Sequence, residues 1–95
     1  MRGSSGVTVE PNPDVVFRRL GERMVLVHLK TNEIFELNET SARFWELIAE
    51  DGDVASVEQR LAQEFDVDPA QLHQEVAATL SFLSSQGLIT RHGGG

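Results

Sequence analysis

The fold is decided at residues 34–48, which read IFELNETSARFWELI. Residues 34–37 read as a short β-strand. Asn38 is a good helix N-cap and is followed by an acidic residue in the first turn. Apolar side chains then recur at helical spacing, at Phe44, Trp45 and Ile48. The hydrophobic period changes from two to 3.6, which predicts that a strand ends and a helix begins at Asn38.

Two further strands are predicted upstream of this point. Residues 15–20, VVFRRL, and residues 23–29, RMVLVHL, are apolar runs. The dipeptide between them, Gly21-Glu22, is a turn signal. A second turn is expected at Thr31-Asn32. Three consecutive strands joined by short turns predict an antiparallel meander.

Two further helices are predicted downstream. Asp53 caps a helix that ends near Phe65. Asp68 then starts a longer helix, with proline at the first helical position and glutamine at the third. This third helix runs to about residue 86, and its apolar stripe consists of Leu72, Val76, Leu80 and Leu83. Gly87 is expected to end it in a left-handed conformation.

The order β-β-β-α-α-α predicts an α+β domain of winged-helix-like shape, in which three helices cover one face of an amino-terminal three-stranded antiparallel sheet. The 95 residues form one domain. We expect this domain to span residues 11–90, with a flexible arm over residues 1–10 and a disordered tail over 91–95. No run of about 18 apolar residues exists to span a membrane. The first residues lack the apolar stretch of a secretory signal, so a cytoplasmic location is expected.

Charge is unevenly distributed along the chain. The formal net charge is −7, and residues 46–75 contain nine acidic side chains but only one basic one, Arg60. Such a block repels nucleic acid and anionic lipid. Two interpretations stay open: the block is a solubilising face, or it steers a lysine-rich partner.

Catalytic and metal-binding patterns are missing from the sequence. It has no cysteine, and its three histidines lack the spacing of metal ligands. The serines stand in no nucleophile elbow, and the glycines form no phosphate-binding loop. We therefore predict a non-enzymatic protein that needs no metal and no cofactor.

Two binding functions are compatible with this fold class. Winged helices often bind DNA, but the predicted third helix has no lysine and no arginine with which to neutralise phosphates. The alternative is a peptide partner. If the strands lie in sequence order, the strand at residues 34–37 is at an edge, and an edge strand can accept a strand from another chain.

The side chains of this edge strand divide between two faces. Phe35 and Leu37 point to one face, and Ile34 and Glu36 to the other. The third helix, uncharged except for Glu75, is expected to form the opposite wall of a groove. Phe82 lies off the apolar stripe of that helix, so it lines the groove, contacts another protein or completes the core.

These residues resemble the PqqD-like family of RiPP recognition elements. The resemblance covers roughly residues 10–90 and rests on FRRLGE at 17–22, VLVHLKT at 25–31, FELNET at 35–40, WEL at 45–47, FDVDP at 65–69 and QGLI at 86–89. It implies that the leader segment of a ribosomally made precursor peptide is bound as an added strand. The implied site comprises Ile34, Phe35, Glu36 and Leu37 on the strand and Leu72, Glu75, Val76, Thr79 and Leu80 on the third helix.

The resemblance also implies partners. A free-standing chain of this size is similar to the leader-binding subunit of split lasso-peptide B proteins. The partners there are a leader-cleaving cysteine protease and an ATP-dependent macrocyclase, and the leaders often carry a Tyr-x-x-Pro motif. The acidic block suits a leader with basic residues. Free-standing relatives also serve pyrroloquinoline quinone and other radical-enzyme pathways, so a peptide chaperone for a radical SAM enzyme is the first alternative. A winged-helix DNA-binding regulator is the second.

Overall fold

The structure, a computed structural model, describes residues 7–93. It contains eight elements: β1 Val7–Pro11, β2 Val15–Leu20, β3 Arg23–His28, β4 Glu33–Leu37, α1 Glu39–Glu50, α2 Val54–Glu64, α3 Pro69–Ser85 and β5 Ile89–Gly93. Strands β2, β3 and β4 form a three-stranded antiparallel sheet in that order. The α+β class, with this sheet followed by three helices, is confirmed. Two strands, β1 and β5, are added to the predicted order.

The added strands form a ribbon that joins the two ends of the chain. β1 pairs antiparallel with β5, from Val7 opposite Gly93 to Pro11 opposite Ile89. Val9 and Ile89 are buried in the core, and the Val9 N–H donates to the Gly52 carbonyl at 2.9 Å. The prediction of a flexible arm was therefore wrong for residues 7–10, and that of a disordered tail was wrong for residues 91–93. Strand pairing orders both segments, and burial of apolar side chains supports it. The rest of the arm and tail, residues 1–6 and 94–95, lies outside the described residues.

Helix starts and ends follow the local sequence signals closely. The Asn38 side chain accepts a hydrogen bond from the Ser41 N–H at 2.9 Å, and that of Asp53 accepts one from Ala55 at 3.2 Å. Asp68 occupies the N-cap position of α3, but its side chain makes no capping hydrogen bond. Gly87 has φ of +72°, and the Leu88 N–H donates back to the Leu83 carbonyl at 2.9 Å. This is the predicted left-handed ending.

The core lies between the sheet and the three helices. Its centre contains Met24 and Leu26 from β3 and the bulky side chains Phe44 and Trp45 from α1, all at most 1% exposed. The predicted α3 stripe, Leu72, Val76, Leu80 and Leu83, is buried against them. No helix within residues 7–93 is long and apolar enough to cross a membrane.

Candidate functional site

Strand β4 has one free edge. Within residues 7–93 it pairs only with β3, so the side of β4 away from β3 offers unpaired backbone groups. Such an edge is a template for another extended chain. The predicted edge strand at residues 34–37 is therefore confirmed.

The turn between β2 and β3 determines which backbone groups point outward. Leu20 pairs with Arg23 across a two-residue turn, and Gly21 at its first position has φ of +64°. Such a turn is closed by a hydrogen-bonded pair, and hydrogen-bonded and non-hydrogen-bonded pairs then alternate along the strands. On β3, residues 23, 25 and 27 thus bond to β2, and residues 24, 26 and 28 bond to β4.

The same alternation continues onto β4. The partners of residues 24, 26 and 28 are Leu37, Phe35 and Glu33. Their N–H and C=O groups are used within the sheet. The N–H and C=O groups of Ile34 and Glu36 therefore point to the free edge, where they can pair with an incoming strand.

A groove runs between β4, the start of α1 and α3. It encloses a cavity of about 220 Å³, lined by Glu36, Leu37, Asn38, Ser41, Ala78, Thr79 and Phe82. Its floor is polar, because the hydroxyls of Ser41 and Thr79 lie 3.1 Å apart and share a hydrogen bond between α1 and α3. Ala78 contributes a small side chain to the lining on α3.

An aromatic pair lies at this groove, because Phe82 belongs to its lining and contacts Phe35. The rings of Phe35 and Phe82 meet edge to face, with centroids 5.8 Å apart and planes at 76°. Phe35 is half-buried, whereas Phe82 is 41% exposed. The structure places the Phe82 ring at the groove and not in the core. An exposed ring of this kind can pack against an apolar or aromatic side chain.

The elements that border the groove carry several acidic residues, which we call its acidic rim. Glu33 and Glu36 lie on β4, Glu39 begins α1 and Glu75 lies on α3. Arg23 pairs with Glu36 at 2.9 Å, but the other three carboxylates have no ion-pair partner within the described part of the chain. The groove therefore attracts a segment that carries positive charge.

Comparison with known proteins identifies the family and the fold of this chain. The family described as "Coenzyme PQQ synthesis protein D (PqqD)" matches residues 23–89, from β3 to the start of β5. The chain belongs to the PqqD family. No curated protein sequence matches it.

Two solved structures share the fold of this PqqD-family chain. One is described as "TbiB1 in Complex with the TbiA(beta) Leader Peptide"; it has a TM-score of 0.77 and 24% identity, over 84% of this chain and 93% of that one. The other is described as "Lasso peptide synthetase B1 complexed with the leader peptide". It has a TM-score of 0.76 and 23% identity, over 87% of this chain and 98% of that one. At these identities the likeness shows the fold.

The structure brings together only part of the site that the resemblance implied. On the strand, Phe35 and Leu37 face the groove and core, whereas Ile34 is 70% exposed on the opposite face of the sheet. On the helix, Glu75 and Thr79 are half-buried, and Thr79 lines the groove. The other three helix positions are at most 8% exposed and belong to the core: Leu72, Val76 and Leu80. Core packing therefore occupies those three side chains, and they do not line the groove.

The groove wall on α3 is a second stripe, beside the core stripe. Glu75, Ala78, Thr79 and Phe82 are spaced i, i+3, i+4 and i+7, so they share one face of the helix. This face is turned by about 100° from the core stripe. The sequence contained a signal for this second stripe. It combines small, polar and aromatic side chains, whereas the core stripe beside it is fully apolar, and such a mixed stripe suggests a second contact surface.

Proposed function

We propose that this chain binds the leader segment of a ribosomally synthesised precursor peptide of the lasso class, as a strand added to the free edge of β4. The observation that carries the proposal is an unpaired edge with an open groove beside it. Ile34 and Glu36 supply the outward backbone groups, and Phe82 and Thr79 form the wall across the groove. Both structural neighbours are described as complexes with a leader peptide, which supports the same ligand class.

Backbone and side chains make different contributions to recognition of the leader. Main-chain hydrogen bonds to Ile34 and Glu36 contribute affinity for any extended segment. Specificity comes from the side chains of the added strand, since alternate ones point into the groove. The exposed ring of Phe82 provides an apolar contact for the Tyr and Pro of a Tyr-x-x-Pro motif. The acidic rim favours a leader that also contains Lys or Arg.

In this proposal the chain does no chemistry itself. It presents the bound precursor to a leader-cleaving cysteine protease and an ATP-dependent macrocyclase. Holding the leader raises the effective concentration of the attached core peptide near those enzymes. Since precursor peptides leave the ribosome in the cytoplasm, the proposed function places the chain there.

Titration of fluorescently labelled leader peptides against the purified chain tests the proposal. We expect a Kd on the order of 1 μM or tighter, which corresponds to about 8 kcal/mol. Amide chemical shifts should change in β4 and along the groove side of α3, and stay unchanged in the β1–β5 ribbon. A leader that does not bind at concentrations on the order of tens of micromolar contradicts the proposal.

A second candidate is a peptide chaperone for a radical SAM enzyme, which the description of the matching family favours. The same strand edge serves it, so the two candidates differ in the peptide and in the enzyme partner. Binding of a lasso leader but not of a radical-enzyme substrate peptide separates them. DNA binding has less support, because α3 has no lysine or arginine over residues 69–85. A mobility shift of duplex DNA at low salt would restore that alternative.

A further inference from the structure

The side of the three-stranded sheet that points away from the helices, here called the outer face, is built from cross-strand rows. The register places Val16 opposite Val27 and Val27 opposite Ile34, so this row is apolar on all three strands. The neighbouring row has a charge at each end and consists of Arg18, Val25 and Glu36. A strand added at the free edge of β4 extends each row by one side chain, because every second residue of a strand lies on the same face.

Ile34 ends the apolar row at the free edge of β4. Its side chain is 70% exposed, whereas the other exposed large hydrophobic side chains within residues 7–93 range from 40% to 53%. Val27 has a neighbour on each side in the same row and is half-buried. Ile34 has such a neighbour only on the β3 side. The most exposed apolar side chain in the described part of the chain is therefore the one that lacks a cross-strand neighbour at the free edge.

The type of residue at this position favours strand addition. Charged side chains commonly protect an edge strand against pairing with another chain. Ile34 instead combines a β-branched side chain, which has high strand propensity, with backbone groups that point to the free edge. A residue paired with it in an antiparallel added strand has its Cβ atom about 5 Å away, on the same face of the sheet. The two side chains would therefore be in contact.

We propose that Ile34 determines part of the leader specificity, and that the leader carries an apolar side chain, β-branched or aromatic, directly opposite it on the outer face. The inference rests on the proposed function and extends it, because the groove is then only one of two places where leader side chains are recognised. The added side chain becomes the fourth member of the apolar row and covers Ile34. Burial of both side chains strengthens binding of leaders that have this residue.

This arrangement sets the spacing of the leader residues that are recognised. Side chains of the added strand alternate between the groove, where they meet Phe82, and the outer face, where they meet Ile34. Leader positions that contact these two residues are therefore separated by an odd number of residues. The position opposite Glu36 is two residues away from the position opposite Ile34, on the same face, and the charged row does not require an apolar side chain there.

A pair of serine substitutions in the same row tests the proposal. Ile34→Ser and Val16→Ser each remove an exposed β-branched side chain and keep the backbone N–H, but Val16 lies at the opposite end of the row and is 46% exposed. A labelled lasso leader peptide with a Tyr-x-x-Pro motif is titrated against both variants. We expect Ile34→Ser to raise the Kd about fivefold, because an apolar cross-strand contact is lost. Val16→Ser, and the conservative Ile34→Val, should stay within about twofold.

A charge exchange then locates the paired leader residue. Lysine is placed at successive positions of the same leader peptide, and each peptide is titrated against the wild type and Ile34→Glu. Lysine at one position should bind Ile34→Glu about fivefold more tightly than the wild type, because opposite charges then face each other across the strands. Lysine at the positions on either side points into the groove and should change the preference by less than about twofold. Phe82→Ala, measured with the same peptides, identifies the groove-facing positions.

Three outcomes overturn the inference. The first is a Kd for the leader that is unchanged in both Ile34→Ser and Ile34→Glu. The second is an equal loss of affinity in Ile34→Ser and Val16→Ser, since the whole row would then be covered by the ligand or by a second copy of the chain. The third is a lysine position that couples to Ile34→Glu and lies an even number of residues from the position most sensitive to Phe82→Ala.

Failure of the inference is distinguishable from failure of the proposed function. A leader that binds the wild type with unchanged affinity for the Ile34 variants contradicts the inference alone. A leader that does not bind the wild type contradicts both.

Discussion

The three-stranded sheet has two outer edges, at β4 and at β2, and they differ in how readily another strand can be added. At the β4 edge, backbone groups of Ile34 and Glu36 point outward beside an open groove. At the β2 edge, the Val15 N–H already donates to the Asn12 carbonyl at 3.0 Å, and Arg19 turns inward to Glu46, 3.6 Å away. An inward-pointing charge is a common device against strand addition. One sheet thus combines an acceptor edge with a guarded edge.

The helices beneath the two edges reinforce this difference. Under β2, the ring of Phe17 meets that of Trp45 edge to face at 6.2 Å, so α1 closes against the strand. Beside β4, α3 presents Ala78 and Thr79, whose small side chains leave space. Backbone alone therefore does not make an acceptor edge; the neighbouring helix must also leave room for the added strand.

The largest effect is expected from removing one outward N–H at the acceptor edge. Glu36→Pro deletes an amide that β3 does not use, so the sheet tolerates it while an added strand loses a hydrogen bond and meets the proline ring. We expect the Kd for the leader to rise by about 30-fold or more, as measured by fluorescence polarisation. Phe35→Pro is a poorer test, because the Phe35 N–H belongs to the β3 ladder.

Two controls sharpen this prediction. Glu36→Ala loses the ion pair with Arg23 but keeps the N–H, so its Kd should stay within about threefold. Arg19→Pro removes an outward N–H at the guarded edge and should not change leader affinity. Equal losses in Glu36→Pro and Arg19→Pro would show that the peptide does not distinguish the edges.

The second effect compares two half-exposed phenylalanines. Phe82 and Phe17 are 41% and 53% exposed, and each meets one other ring edge to face. Phe82→Ala and Phe17→Ala should each lower the free energy of unfolding by about 1 kcal/mol. Only Phe82→Ala should weaken leader binding, by about tenfold, because its ring forms the groove wall. Calorimetry of both variants with leader checks the difference, and similar affinities would place the peptide away from α3.

The sequence predicted the acceptor edge because its signals are local. Gly21, Asn38 and Gly87 each determine a turn or a helix end from within a few residues, and these positions hold the meander and the helices in order. The β1–β5 ribbon has no such signal. Its pairing joins residues as far apart as Thr8 and His92, and it depends on burial of Val9 and Ile89, which short segments do not reveal.

The helix wall of the site was predicted only in part for a related reason. The resemblance drew its residues from two neighbouring stripes of α3. Leu72, Val76 and Leu80 belong to the stripe that the core requires, whereas Thr79 belongs to the groove. Which stripe faces the core depends on how α3 is rotated against α1 and the sheet, and rotation of a helix is a tertiary property.

The third effect concerns Arg19, whose inward-pointing charge protects the β2 edge against strand addition. Arg19→Val removes the inward charge of β2 and adds a β-branched residue, so it should turn the guarded edge into a weak acceptor. We expect the weight-average mass in sedimentation equilibrium to rise with protein concentration, while leader affinity stays unchanged. Arg19→Lys keeps the charge and should remain monomeric. A monomeric Arg19→Val variant at all concentrations would assign the protection to α1 packing instead.

The smallest effect is expected on the free energy of unfolding, from the network of ion pairs beneath the guarded edge. Arg43 bonds both oxygens of Glu64, at 2.7 and 2.9 Å, and also contacts Glu46, the partner of Arg19. The hydrogen bond from Arg43 lowers the pKa of Glu64 below its ordinary 4.5. A carboxylate whose folded pKa is lowered stabilises the fold above its unfolded pKa, and this contribution is lost as pH falls through the folded value. Arg43, whose pKa this contact raises, stays charged throughout.

Glu64→Gln should therefore lower the free energy of unfolding at pH 7 by at most about 1 kcal/mol, since both side chains remain partly exposed. The difference from the wild type should shrink as pH falls through 4.5 and vanish once Glu64 is protonated in the folded state. Urea unfolding across this pH range measures it, with Glu39→Gln as a control at the acceptor edge, where no ion pair is lost. If the ion network only holds α1 under β2, Glu64→Gln should bind the leader as tightly as the wild type at pH 7. Glu39→Gln should bind it slightly more weakly, because it removes one carboxylate of the acidic rim. A larger loss of affinity in Glu64→Gln would mean that the guarded edge and the groove are coupled through α1.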